Sequence, residues 1–185
     1  MINIGIDLDG VLADLISAAL NYSELKGYTK EDVTEWDFFQ KHEYTKRQQR
    51  YLFCDTWANW RDMGLRVEYK FAAKLLKKLK KKYRVSIITH RDNNTHVYVT
   101  QWLYWYDIEY HDLLFVGDGL SKFEFPINCL IDDSPKAIEE AKRFPNKQLY
   151  LVNQPWNKNI IISESNIFRV DDLGDAINKI TNIRM

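Results

Sequence analysis

Five apolar runs, each too short for a helix and nearly free of polar interruption, recur along the chain: Ile2 to Leu8, Val85 to Thr89, Leu113 to Gly117, Cys129 to Ile131 and Gln148 to Val152. A strand with one wet face alternates apolar and polar residues. An uninterrupted one is covered on both faces, as in a parallel sheet flanked by crossover helices. The intervening segments supply the helices. Helical patterns run over Tyr69 to Lys82, His96 to Tyr106 and Pro135 to Arg143, and another, Leu173 to Ile183, closes the chain. Ser134-Pro135 is a helix start, with a side-chain acceptor at the cap and a preset φ in the first turn. The alternation predicts a doubly wound, Rossmann-like α/β fold built on a five-stranded parallel sheet.

The stretch from 14 to 67 is too long for one crossover and differs in character. It holds Tyr22, Tyr28, Trp36, Phe38, Phe39, Tyr44, Tyr51, Phe53, Trp57 and Trp60, interleaved with charges. Thr29-Lys30-Glu31-Asp32 has the form of a capping box. These signals predict a small helical cap inserted after the first strand, with residues 1–13 and 68–185 forming the core. No Gly/Ser linker separates the two, so short hinges near Leu12 to Leu15 and Gly64 to Tyr69 are expected.

Lys+Arg and Asp+Glu balance at 26 each. No overall field draws the chain to polymeric nucleic acid or to acidic membranes, and small ligands fit better. The lysines at 77, 78, 80, 81 and 82 share a helical segment with Phe71, Ala72, Leu75, Leu76 and Leu79, which places the charges on its solvated face and last turn. Cys54 and Cys129 lie far apart and match no metal or redox spacing. No apolar run approaches the ~20 residues that span a bilayer, and the first residues lead straight into a strand. A cytosolic protein is expected. The sequence does not fix oligomeric state and admits a homodimer.

Candidate chemistry clusters at predicted strand ends. Ile6-Asp7-Leu8-Asp9-Gly10 closes the first strand with two carboxylates one residue apart, and strand alternation points both the same way. Two acids aimed at one place need a cation or a shared proton. Thr89-His90-Arg91 follows the second strand with a hydroxyl and two donors suited to an anion. Lys122 lies in the loop after the third strand, where a lone lysine is ordinarily solvated. Leu130-Ile131-Asp132-Asp133-Ser134-Pro135 ends the fourth with adjacent acids, one able to reach a metal while the other acts through water or orients a neighbour. Asp133 has a local alternative, assisting the helix cap.

The order DxDGV, Thr, Lys, DDSP, each at the carboxyl end of a predicted parallel strand, resembles the haloacid dehalogenase superfamily from Ile2 to about Val152. Within it, Asp7-Leu8-Asp9-Gly10-Val11-Leu12-Ala13-Asp14, the aromatic insert and the DDSP motif resemble the 5'(3')-deoxyribonucleotidases. The resemblance implies a phosphomonoesterase of nucleoside 5'-monophosphates in which Asp7 is the nucleophile and Asp9 the general acid and base. Thr89, His90 and Lys122 would bind phosphate. Mg2+ is the expected cation, since the donors are oxygen atoms: Asp7, the Asp9 carbonyl and Asp132, with Asp133 behind them. Trp36, Phe38, Trp57 and Trp60 are candidates to stack on a base, and Arg91 to reach phosphate or tie its loop to the core. A sugar phosphate, an oligonucleotide end and a non-catalytic binding role are the competing readings. The metal reading requires Asp7 within about 5 Å of Asp132 or Asp133.

Overall fold

The protein is seen in a computed structural model that describes residues 2–66 and 69–182. Val67 and Glu68 of the second expected hinge, and Ile183 of the last expected helix, lie outside the described residues. Strands β1 (Asn3–Ile6), β2 (Arg84–Thr89), β3 (Asp112–Phe115), β4 (Cys129–Asp132), β5 (Gln148–Val152) and β6 (Ile167–Val170) form one parallel sheet in the order β3-β2-β1-β4-β5-β6. The chain begins mid-sheet, runs outward through β2 and β3, then returns beside β1 and runs out the other way. That reversal opens a crevice at the carboxyl ends of β1, β2 and β4.

Burial explains the uninterrupted runs. Ile6, Ile87, Ile131 and Tyr150 pack into one apolar cluster, while their chain neighbours Ile88, Leu130, Leu149 and Leu151 pack into a second with Ala137, Ile138 and Ala141. Both faces are therefore dry. Helices α4 (Tyr69–Lys80), α5 (His96–Trp105), α6 (Pro135–Arg143) and α7 (Leu173–Asn182) accompany the sheet. In α4, Ala72, Leu76 and Leu79 are buried and Lys77 and Lys78 exposed, so its lysines face solvent, with Lys77 and Lys80 beside Glu109.

The sequence predicts five strands and the sheet has six. The sixth, Ile-Phe-Arg-Val, is short, follows β5 without a helix and carries a charge in mid-run. Edge strands commonly carry such charges. Arg169 is nevertheless well used: its guanidinium donates to Asn153 Oδ1 (2.9 Å), Asn157 Oδ1 (3.3 Å) and the carbonyls of Asn157 (2.8 Å) and Ile160 (2.6 Å).

Between β1 and α4 lie α1 (Leu15–Tyr22), α2 (Phe38–Lys41) and α3 (Lys46–Ala58). The Thr29–Asp32 box forms but closes only a single 3-10 turn, whereas Thr45 and Gln48 make the same reciprocal cap at the start of α3. The first apolar cluster runs on without a break into this segment through Leu15, Val33, Phe39, Phe53 and Trp57. Where the segment leaves and rejoins the sheet, Asp14 N donates to Gly64 O (3.0 Å) and Arg66 N to Leu12 O (2.8 Å), tying the two connections together.

Arg169→Ala removes four hydrogen bonds, although Asn157 Oδ1 keeps Gln154 N and Asn157 O keeps Ile160 N, and is expected to destabilise the fold by about 1–3 kcal/mol. Urea unfolding measures it; a shift below ~0.5 kcal/mol would show that the β6 edge stands without this anchor.

Candidate active site

Asp7 is the first residue beyond β1. Its N–H donates to Ile131 O (2.8 Å), which sets it level with Asp132 at the end of β4. The chain then doubles back, with Leu12 N and Ala13 N both donating to Leu8 O. Gly10 sits in that turn at φ +79°, and a Cβ there would lie 2.1 Å from Asp133 Oδ2, so both conformation and space demand glycine. The DxDG spacing thus places a bare backbone against the second pair of acids.

One oxygen from each of Asp7, Asp132 and Asp133 falls within 4.8 Å of the others, and all three residues are buried. Lys122 enters from a 3-10 turn whose cap is Ser121, itself held by Glu140 Oε2 at 2.6 Å. Its ammonium reaches Asp7 Oδ1 (2.8 Å) and Asp132 Oδ2 (2.7 Å), and the residue is 4% exposed. This is no solvated loop lysine. Burial works to lower its pKa, but the Asp132 and Asp7 carboxylates outweigh that and hold it firmly charged. Asp132 Oδ1 accepts from Ser134 N (2.8 Å), so the local turn role falls to Asp132. Ser134 in turn caps α6 by accepting from Ala137 N, with Pro135 in the first turn. Among the described residues no hydrogen-bond donor reaches the Asp133 carboxylate; its carbonyl accepts from Asn157 Nδ2 (2.8 Å).

Only two of the three carboxylates pair with the Lys122 ammonium. Burial pushes the Asp7 carboxyl up to about 7; Lys122 opposes the rise, while Asp132 and Asp9 add to it. Burial, with Asp132 and Asp7, also lifts Asp133 well above the ordinary range. The site therefore lacks positive charge, and a hard divalent cation with oxygen ligands suits its donor set.

Asp9 points into the same crevice but is held separately. Arg91 Nε lies 2.6 Å from Asp9 Oδ2, and Trp57 Nε1 donates to Oδ1 at 3.1 Å. Burial raises its pKa against Arg91 and Trp57, which lower it. With its carboxylate so engaged, any metal contact from Asp9 would come from its main chain. Thr89, at the tip of β2, is buried and accepts from Arg91 N (3.2 Å). His90 Nε2 lies 3.1 Å from Leu120 O, and burial together with Lys122 lowers its pKa, favouring the neutral ring.

Asp7, Asp9, Thr89, His90, Arg91, Lys122, Asp132 and Asp133 all border one cavity of about 260 Å3. From the insert, Val33, Trp36, Phe39 and Phe53 roof it. Trp36 is 55% exposed and free to meet a ligand. The other three aromatic candidates do not line it. Phe38 packs among Tyr28, Phe39 and His42; Trp57 is fully buried against Trp102; Trp60 donates to Gln101 Oε1 and meets Trp105 edge-on. Among the lining aromatic residues, the sequence reading missed Phe39, Phe53 and Trp156. Phe39 is indistinguishable from Phe38 in a one-turn helix. Trp156 follows the carboxyl end of β5, a position that the strand-end rule could have flagged.

The family model described as "5' nucleotidase, deoxy (Pyrimidine), cytosolic type C protein" matches residues 1–184. A comparison with curated proteins finds no match. Among solved structures, a hydrolase from Pseudomonas syringae is similar over 100% of both chains, at 16% identity and TM-score 0.60. A HAD-superfamily hydrolase, subfamily IA, variant 1, from Geobacter sulfurreducens PCA is similar over 97% of this chain and 96% of its own, at 12% identity and TM-score 0.56. L-2-haloacid dehalogenase from Xanthobacter autotrophicus is similar over 100% of both, at 13% identity and TM-score 0.59. At these identities the likeness speaks for the fold.

Asp7 binds its proton more tightly folded than unfolded. Its contribution to stability is complete below about pH 4 and lost as pH rises through about 7, by at most on the order of 4 kcal/mol. Urea unfolding of the metal-free protein, wild type minus Asp7→Asn, should show that decline across the window, and a divalent cation should offset it above pH 7. A flat difference would mean that Asp7 is not charge-stressed.

Proposed function

Because the chain belongs to the 5' nucleotidase, deoxy (Pyrimidine), cytosolic type C family, phosphoric monoester hydrolases on the haloacid dehalogenase fold, we propose that it hydrolyses nucleoside 5'-monophosphates with Mg2+ as cofactor. The observation that carries this reading is the convergence of Asp7 and the Asp132–Asp133 pair, from the ends of β1 and β4, with Lys122, from the turn after β3, on one buried point under an aromatic roof.

Asp7, Asp132 and Asp133 would hold the magnesium ion, with the Asp9 carbonyl as a further oxygen. Bound there, Mg2+ supplies the missing positive charge and screens the phosphate from the carboxylates. The protein's own groups do the rest. Lys122 and Thr89 bind non-bridging phosphoryl oxygens, and His90, its Nε2 facing Leu120 O, borders the same space. The Asp7 carboxylate attacks phosphorus, forming an aspartyl phosphate as the phosphorus–sugar oxygen bond breaks. The departing sugar oxygen takes a proton from the Asp9 carboxyl, and the resulting carboxylate then accepts a proton from the water that clears the aspartyl phosphate.

Residues 14–67 act in this reading as the cap that selects the substrate. Trp36, Phe39 and Phe53 offer ring faces to a base without reading its edges. A cavity of about 260 Å3 walled by the insert suits one mononucleotide better than a polymer. The balanced charge points the same way, and no helix among the described residues is long and apolar enough to cross a membrane. We propose a small-molecule role in the cytoplasm, in keeping with the cytosolic type named in the family description.

Phosphate release from a panel of nucleoside 5'-monophosphates and sugar phosphates, with Mg2+ and with chelator, tests the proposal. Nucleotides should be preferred, chelator should stop turnover, and Asp7→Asn should abolish it. Equal rates on sugar phosphates would overturn the substrate assignment. Trp36→Ala should raise KM for nucleotides by ~5- to 100-fold, the worth of one stacked base, with a smaller change in kcat.

A further inference from the structure

Trp57 lies on α3 in the insert, yet its indole N–H ends on the carboxylate of Asp9 in the core. The side chain is fully buried, so it has no face to offer a base. Its ring meets Trp102 edge-on, centroids 5.8 Å apart, and Trp102 is fixed by donating to Met63 O at 2.9 Å. The indole therefore has one orientation. An indole N–H can only donate, and the Arg91 guanidinium sits against the other oxygen as an ion pair. With Arg91 on Oδ2 and Trp57 on Oδ1, both oxygens of Asp9 are anchored and the carboxyl plane cannot turn about its Cβ–Cγ bond without breaking a contact.

The two anchors come from different parts of the fold. Arg91 belongs to the core loop after β2, its guanidinium 5.0 Å from the centroid of the Phe53 ring on α3, whereas Trp57 is itself part of the insert. The geometry points to Trp57 as a positioning residue for the general acid: docking of the insert completes the catalytic centre by orienting Asp9 toward the leaving oxygen. This rests on the phosphatase reading above. In the step concerned, the phosphorus–oxygen bond breaks with its electron pair passing to the sugar oxygen. That oxygen takes the Asp9 proton, leaving a free hydroxyl and an Asp9 carboxylate. Orientation matters only where the leaving group needs that proton.

Leaving-group dependence is therefore the test. A nucleoside leaves as a poor alkoxide and requires the acid, whereas p-nitrophenolate departs without it. Trp57→Phe keeps the ring and removes the N–H. For this variant, kcat/KM on a nucleoside 5'-monophosphate divided by kcat/KM on p-nitrophenyl phosphate should fall at least ~10-fold from the wild-type ratio, part of the ~10²- to 10⁴-fold that a placed acid supplies. An unchanged ratio, whether both values fall together or neither does, would assign Trp57 to packing alone and overturn the inference. Should Trp57→Phe not fold, the indole N–H resonances of nitrogen-labelled tryptophan decide: Asp9→Ala should move one of them, and no movement would overturn it. Wild type that turns over aryl phosphate but no nucleotide would sink the substrate reading and leave the resonance test standing.

Discussion

An excess of buried negative charge at the carboxyl edge of the sheet organises this protein. Asp7, Asp132 and Asp133 are brought within 4.8 Å of one another, with a single ammonium, that of Lys122, wedged between two of them. Such a cluster opposes folding through its own repulsion and desolvation, and a sequence keeps it only where charge is put to use. Much of the surrounding structure serves to tolerate it: Ser134 N on Asp132, the Ser121–Glu140 pair under the lysine turn, and Asn157 on the Asp133 carbonyl.

The parallel sheet makes this cluster possible at little cost elsewhere. Register between β1 and β4 sets Asp7 beside Asp132, and β2 on the other side of β1 delivers Thr89, His90 and Arg91. The central strands are almost wholly apolar on both faces, so the polar side chains of the site collect where those strands stop. The site is thus a by-product of where dry backbone ends, refined by the glycine turn that lets the first pair of acids approach the second.

That logic is why the core was readable from the chain and the roof was not. Uninterrupted apolar runs locate β1, β2, β3, β4 and β5, and the acids after them follow by position. β6 escaped because Arg169 interrupts its run, and the reason for that arginine lies in acceptors 9 to 16 residues away. In the insert, a one-turn α2 has too few residues to show a phase, so nothing in the sequence separates Phe39 on the cavity from Phe38 in the packing. Aromatic content predicted a cap rich in rings; which rings are wet depends on packing partners such as Trp102 and Trp105 that lie far along the chain.

The paired hydrogen bonds where the insert leaves and rejoins the sheet, Asp14 to Gly64 and Arg66 to Leu12, have a mechanical consequence. Two separate tethers would let the roof tilt, twist and slide. Stitched side by side, they form one short seam, so the two connections cannot part without breaking both hydrogen bonds.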